Sequence, residues 1–399
     1  MEKTYSLVVR TIALLSVLML VFAGSSHATS DNHGLAMFFL DVGQGDCTVI
    51  ACDGMIMMID TGDKQHSQAV CSFIQNELGI DHIDYLLITH SHNDHVGGIL
   101  DVLDVCSLDY VCTLSRPFKQ EELSDAVKSA VNRGAVLLTL KSGDTLNLGN
   151  ADVEILGPLD GSNDSINCLS LVFRVSYQRQ TFLFTGDAER EEERDLLEAG
   201  IDLSAKVLHV PHHGARESNE YRFIRAVNPD YAIISVGKGN RYNHPDEKAL
   251  SVLEQAINDK RNIFRTDEIG DIQCYADGQC ILFGRDAEQA IEDMKPFGHN
   301  KTQIGTQVGP TQQYTDAELE NAQNVIQSII NNNGKALPGY KSERQFENRE
   351  GLLPEGVRYT EYDLNPLTGN GRDEYRIVLG SDQTAWYTHN HYTSFIRIR

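Results

Sequence analysis

Along residues 35–284 the apolar positions switch repeatedly between alternation, short solid runs and helical spacing, and each switch marks an element. Residues 35–59 alternate and then run apolar, with turns at Gly43-Gln44-Gly45-Asp46 and Cys52-Asp53-Gly54, which predicts three short consecutive strands. Residues 64–78 carry helical spacing through Val70, Phe73, Ile74 and Leu78, and a buried strand follows at Tyr85-Leu86-Leu87-Ile88. Gly97 and Gly98 are expected to let the chain turn tightly before a helix that begins near Ile99. Segments 136–140, 153–156, 169–175 and 182–184 read as strands, a charged helix spans about 189–198, and 206–210 and 231–236 are two more buried strands.

Past Gly284 the pattern dissolves over 286–313, which ends in a Thr/Gln/Gly-rich stretch and reads as a linker. Order returns at Thr315-Asp316-Ala317-Glu318, a capping box opening a helix with Leu319, Ala322, Ile326 and Ile329 on one face and a stop near Gly334. Short strands at 359–364, 372–379, 385–388 and 394–398 follow. With 399 residues the chain exceeds what one core usually serves, so two domains are expected, at 29–285 and 314–399.

The first 28 residues are set apart: Lys3 and Arg10, an apolar run from Ile12 to Ala23, then small residues up to Ser26-His27-Ala28. This reads as a secretory signal peptide cut near Ala28, with an uncleaved anchor as the competing reading. A secreted, extracellular protein with no stable membrane partner after cleavage is the expectation. Thirty-four Lys and Arg against 57 Asp and Glu give a net charge of −23, which argues against a generic basic groove for nucleic acid or an anionic membrane. Any anionic substrate must therefore be attracted locally, by metal ions or a few placed arginines. Eight cysteines, an even number in a chain read as exported, admit disulfides. Cys274 and Cys280 flank a predicted hairpin tip and are one candidate pair, with Cys106 and Cys112 another.

The chemistry concentrates in Thr89-His90-Ser91-His92-Asn93-Asp94-His95-Val96-Gly97-Gly98, directly after the apolar run 85–88. Residues 90, 92 and 94 share a parity, so an extended loop points two imidazoles and a carboxylate to one side while His95 turns to a neighbouring centre. Such donors suit zinc, with manganese or iron as alternatives. Further candidates follow later strands in the same way: Asp187 after 182–184, His212 and His213 after 206–210, and His244 after 231–236. Spacing does not separate ligand, phosphate donor and general acid for these three histidines.

These stretches, together with Phe39-Leu40-Asp41-Val42-Gly43-Gln44-Gly45-Asp46, resemble the metallo-β-lactamase fold and, within it, the hydrolase domain of the ComEC competence proteins, over about residues 35–284. The resemblance implies an α/β fold, an αββα sandwich, with metal-dependent hydrolysis and, for this branch, phosphodiester or DNA cleavage. Carried over by position, His90 and His92 hold one divalent ion, Asp94 and His95 a second, and Asp187 bridges. His213 is taken with the ligands, and Asp94 also with the catalytic groups. Where many members have a further histidine this chain has Asn167, so Asn167, His212 and His244 stand as metal or phosphate contacts, and one ion or two remains open. Asp41 and Asp60 are candidates for ordering the ligands from behind, or simply turn formers.

In the second domain, period two sets Glu361 with Asp363 on one strand face and Arg372 with Arg376 on a face of the next. Phe346-Glu347-Asn348-Arg349-Glu350-Gly351-Leu352-Leu353-Pro354, residues 359–363, 372–377 and Asn390-His391-Tyr392 resemble the barnase-like family of microbial guanyl-specific ribonucleases. That implies a small α+β domain, an N-terminal helix on an antiparallel sheet, which needs no metal and cleaves RNA through a 2′,3′-cyclic phosphate. By position Glu361 is the general base, His391 the general acid, Arg372 and Arg376 the phosphate stabilisers, and Asn348, Arg349, Glu350 and Tyr392 bind the guanine-containing substrate. A barstar-like inhibitor protein is an implied partner. The alternative is a toxin in which the first domain is a delivery or binding module with a structural metal, or hydrolyses another ester or lactone, leaving the ribonuclease as the sole nuclease.

Overall fold

Alternation puts Leu35, Met37 and Phe39 on one side of the first strand and Ala36 and Phe38 on the other, and both sides are buried. That strand sits in the middle of a layered sandwich. The computed structural model describes residues 34–114, 121–159, 165–297, 316–332, 334–338, 340, 344–348, 353, 356–366, 375–381, 384–388 and 396–397.

The first sheet opens with β1 (Leu35–Phe39), β2 (Thr48–Cys52), β3 (Met55–Ile59), β4 (His82–Leu87), β5 (Ser107–Leu114) and β6 (Val136–Leu140). The second holds β7 (Thr145–Leu148), β8 (Ala151–Gly157), β9 (Val172–Tyr177), β10 (Gln180–Phe184), β11 (Val207–His209), β12 (Tyr231–Ile234) and β13 (Ile263–Arg265). The chain then returns through β14 (Ile272–Ala276) and β15 (Ile281–Phe283), giving the order β15-β14-β1-β2-β3-β4-β5-β6.

Facing side chains such as Met37, Phe39, Met57 and Tyr85 from the first sheet and Phe173, Phe182 and Val207 from the second fill the space between them. Helices close the outer faces. Val70, Val102 and Ala126 cover the first sheet, and Leu196, Phe223 and Leu253 the second, from helices that include Ile99–Val105, Arg190–Glu198 and Glu247–Ala256. This is the expected αββα arrangement. Among the described residues no helix is long and apolar enough to cross a membrane.

Two local expectations need correction. Residues 286–294, read as the start of the linker, belong to a helix, Arg285–Met294, whose Ala287 and Ile291 are buried in the apolar cluster of the first sheet. Its Ala287, Ala290, Ile291 and Met294 recur at i, i+3, i+4 and i+7, a helical period that the five charged residues among them obscure. All eight cysteines are free thiols: Cys274 lies in β14 opposite Phe283, while Cys280 is exposed at the turn. The two therefore do not face each other, because the hairpin's register sets Cys274 three positions beyond Cys280. Cys106 and Cys112 are likewise unpaired and buried.

The C-terminal unit is an antiparallel sheet of β16 (Arg344–Phe346), β17 (Tyr359–Asp363), β18 (Arg376–Gly380), β19 (Ala385–Thr388) and β20 (Ile396–Arg397), in that order. The helix Asp316–Asn331 lays Ala322, Val325, Ile326 and Ile329 against Tyr362, Ile377, Ala385 and Tyr387. By the period of two, Glu361, Asp363 and Arg376 occupy the opposite face.

Candidate metal centre and ribonuclease site

Parallel pairing of β3, β4, β10, β11 and β12 with their neighbours brings several strand ends to one edge of the sandwich. Each of those ends is followed by a polar loop. The loop after β4 passes into a short helix, Asn93–Val96. Gly97 and Gly98, expected to turn freely, have ordinary helical φ values of −63° and −87°. Their reason is close approach: a Cβ on Gly97 would stand 2.6 Å from the Lys64 nitrogen, and one on Gly98 2.5 Å from the Thr61 carbonyl oxygen.

Asp187 lies at the centre of the histidines. Its Oδ2 is 3.6 Å from His90 Nε2 and 3.6 Å from His212 Nε2, and its Oδ1 is 3.4 Å from His95 Nε2 and 3.5 Å from His213 Nε2. His213 Nε2 is also 3.8 Å from Asp94 Oδ2, and His92 Nδ1 is 3.0 Å from His90 Nε2. Two donor groups result, His90, His92 and Asp187 on one side and Asp94, His95 and His213 on the other. Bond lengths of about 2.1 Å in a tetrahedron separate neighbouring donors by about 3.4 Å, close to these distances. His95 Nε2, His213 Nε2 and Asp187 Oδ1 are buried without a hydrogen-bond partner, a costly condition that a bound cation removes. The residues present therefore fit a divalent ion at each position.

Behind the donors the structure fixes ring orientation. A carboxylate only accepts, so His95 Nδ1 donates to Asp60 Oδ2 at 2.8 Å and leaves Nε2 for a ligand. Thr89 Oγ1 donates to the same Asp60 oxygen at 2.6 Å and accepts from His90 Nδ1 at 3.1 Å. Asp60 thus orients a histidine in each donor group. Asp41 is exposed and closes a turn by accepting from the Gly43 N–H at 3.1 Å, so of the two aspartates only Asp60 backs the ligands.

Burial alone would raise the Asp187 carboxyl, but His95, His213 and His90 hold it well below the usual range. Burial would lower His95 and His213, yet Asp187 with Asp60 and Asp46 keeps both well above the ordinary imidazole value. His90 goes the other way, pushed down by burial and then by His95. Positive charge is thus favoured at His95 and His213, while His90 is kept neutral with its lone pair available.

Sequence reasoning missed Asp46, His209 and Glu189 as parts of this site. Asp46 Oδ1 lies 3.4 Å from His213 Nδ1 and its Oδ2 3.8 Å from His209 Nδ1, while His213 Nδ1 donates to the Ser235 carbonyl at 2.9 Å. Asp46 is more than 160 positions from its partners, so only the fold joins them; the strand-end placement of His209 was the available signal. Asn167 donates to Glu189 Oε1 at 2.6 Å. His244 is half-buried, 5.9 Å ring to ring from His212, and stacked on Tyr242, which places it on the wall rather than among the donors. His92, Asp94, Asp187, His212, His213 and His244 line one open cavity of about 380 Å³.

In the second domain Glu361, Asp363 and Arg376 are buried on one sheet face, and Arg376 Nε lies 3.5 Å from Asp363 Oδ1. Asp363 was seen as a neighbour of Glu361 but not as the partner of Arg376, which the cross-strand register supplies. Asn348, at φ +46°, accepts from the Leu353 N–H at 3.0 Å and donates to its carbonyl at 2.7 Å. Its side-chain amide thus ties residue 348 to the backbone of residue 353. Arg349, Glu350, Arg372, His391 and Tyr392 lie outside the described residues.

Residues 40–238 match the metallo-β-lactamase superfamily and residues 301–399 match the ribonuclease family. ComE operon protein 3 of Bacillus subtilis (strain 168) is 30% identical over 253 residues, 59% of this chain and 32% of its own length. Competence protein ComA of Neisseria gonorrhoeae is 27% identical over 235 residues, 58% of this chain and 31% of its own. Guanyl-specific ribonuclease St of Saccharopolyspora erythraea is 42% identical over 52 residues, 12% of this chain and 52% of its own. This chain spans about a third of the length of the two competence relatives. The protein joins a domain of the metallo-β-lactamase superfamily of hydrolases to a C-terminal domain of the ribonuclease family.

Proposed function

We propose that the protein is an exported nuclease with two independent centres, a metal-dependent phosphodiesterase that accepts DNA and a metal-free endoribonuclease that cuts after guanine. The observation that carries the first half is Asp187, set between two groups of donors on the wall of an open cavity, with its Oδ1 and the Nε2 atoms of His95 and His213 buried without partners. A structural metal is enclosed by its ligands, whereas a catalytic one keeps a position open to solvent. That openness favours chemistry over the delivery-module reading. Zinc is the preferred ion, with manganese as the alternative.

A divalent ion held there supplies Lewis acidity and activates water for hydrolysis. The chain's own contribution is orientation. Asp60 and Thr89 hold the rings of His95 and His90, Ser235 holds that of His213, and His244 stands on the cavity wall as a donor toward phosphate.

For the second half, Glu361 takes the proton from the ribose 2′-OH as that oxygen bonds to phosphorus. The bond from phosphorus to the 5′-oxygen breaks, and His391 protonates the leaving oxygen, giving a 2′,3′-cyclic phosphate. Arg376 and Arg372 carry the added negative charge. DNA lacks the 2′-OH and cannot follow this route. Residues 1–28 as a signal peptide, a toxic role outside the producing cell and a barstar-like inhibitor complete the proposal.

The test incubates the purified full chain with matched RNA and DNA oligonucleotides that contain one guanine, with zinc or manganese and with EDTA. RNA cut after guanine in EDTA, and DNA lost only with metal, are the expected results. Intact RNA in EDTA would refute the ribonuclease half. DNA that survives with either metal would refute the phosphodiesterase half.

A further inference from the structure

We propose that His212 is a ligand of the first metal position, beside His90, His92 and Asp187, and that Glu189 positions it. His90 and His212 place their Nε2 atoms at the same distance, 3.6 Å, from the same oxygen, Asp187 Oδ2. His95 and His213 flank the other oxygen in the same manner, at 3.4 and 3.5 Å. The two oxygens of the Asp187 carboxylate are thus served alike, each by one histidine of the first loop and one of the Pro211–Gly214 turn.

Backbone geometry supports the assignment. His212 and His213 both lie in the left-handed region, at φ +51° and +54°, where side-chain-bearing residues are rare. Two successive residues hold this conformation because the turn is pinned on both sides. The His212 N–H donates to the Gly186 carbonyl at 3.0 Å, and its own carbonyl accepts from Ala215 at 2.8 Å. The result brings both imidazoles to Asp187 at once, which a regular helical turn, spacing neighbours by about 100°, does not do.

Asn167 and Glu189 explain how the ring is held. Asn167 has turned its amide nitrogen to Glu189 Oε1 at 2.6 Å, and the same oxygen is 3.7 Å from His212 Nδ1. A carboxylate behind Nδ1 is the usual means of holding a ligating imidazole with Nε2 toward the ion. His212 Nδ1 is buried without a hydrogen-bond partner. Closing the gap to Glu189 satisfies it while Nε2 keeps its place beside Asp187.

This inference rests on the reading of the site as a metal centre. The test is metal binding to the full chain, stripped and then titrated with zinc or cobalt, with bound ion counted by mass spectrometry after equilibrium dialysis. Two equivalents are expected for the unaltered protein. His212→Ala should keep the ion held by Asp94, His95 and His213 and lose the other by at least about 100-fold in affinity, with a weaker cobalt absorption band. Glu189→Gln should still take two ions, one of them about 10–100-fold more weakly. Glu189 is partly exposed, so this variant decides the question should His212→Ala melt abnormally in the metal-free state.

Two tightly held ions in His212→Ala would overturn the assignment. So would loss of an ion in Asn167→Ala with none lost in His212→Ala, or a Glu189→Gln protein with unchanged affinity at both positions. An unaltered chain that binds no ion would instead overturn the metal-centre reading itself, and the two failures are distinguishable.

Discussion

His95 and Asp60 are both fully enclosed, and the imidazole Nδ1 donates to the carboxylate at 2.8 Å. Through Thr89 the same carboxylate also fixes His90, so one buried aspartate orients a histidine in each candidate donor group. Asp60→Asn puts an amide where an acceptor is needed and removes the charge. The expected result is a loss of about 10–100-fold in metal affinity. Titration of stripped protein measures it, and unchanged affinity would show that His95 holds its orientation without Asp60.

Asp187 separates the two proposed activities. Asp187→Ala removes a donor of the His90 and His92 group together with the Oδ1 that lies 3.4 Å from His95 and 3.5 Å from His213 in the other group. Metal-dependent DNA loss should fall below detection while guanine-specific RNA cleavage in EDTA stays within about twofold. Glu361→Ala should show the reverse pattern, and the pair of variants assayed on matched oligonucleotides tests whether the centres act independently.

How far these features can be read in a sequence depends on how local they are. His90, His92, Asp94 and His95 fall within six positions and announce themselves. Asp187 and His213 carry no spacing signal of their own, yet each follows an apolar strand, and a sandwich gathers such ends at one edge. Asp46 beneath His213, Glu189 beside His212 and the pairing of Asp363 with Arg376 are different. They depend on tertiary approach, on a turn in the left-handed region and on strand register, none of which composition or periodicity specifies. The helix Arg285–Met294 is a different case, since Ala287, Ala290, Ile291 and Met294 carry a helical period that was legible in the sequence and was overlooked among its charges.

The ion pair of Asp363 with Arg376 is buried on both sides, the two side chains being only 4% and 3% exposed. Asp363→Asn leaves a guanidinium in the interior without its opposing carboxylate. Breaking such a pair is expected to cost about 3 kcal/mol. A lowered unfolding midpoint of the C-terminal domain in denaturant, together with weaker RNA cleavage, is the predicted outcome. A midpoint equal to that of the unaltered chain would mean that Arg376 draws its support from elsewhere.

Glu193 gives the first domain a pH dependence of predictable sign. Its two carboxylate oxygens accept from the Asn219 N–H at 2.6 Å and the Glu220 N–H at 2.9 Å, just ahead of the helix Tyr221–Val227. Burial nevertheless dominates and pushes the carboxyl up to about 8. In the unfolded chain the group ionises near 4.5, so between these values the folded state binds a proton that the unfolded state has released. The contribution to stability is therefore fully present below pH 4.5 and is lost as pH rises through 8. Glu193→Gln cannot ionise. It should flatten the decline of the melting temperature between about pH 4.5 and 8, where the folded and unfolded states differ in bound protons. Melting curves of both proteins across that range decide the matter, and parallel declines would assign the effect to other groups.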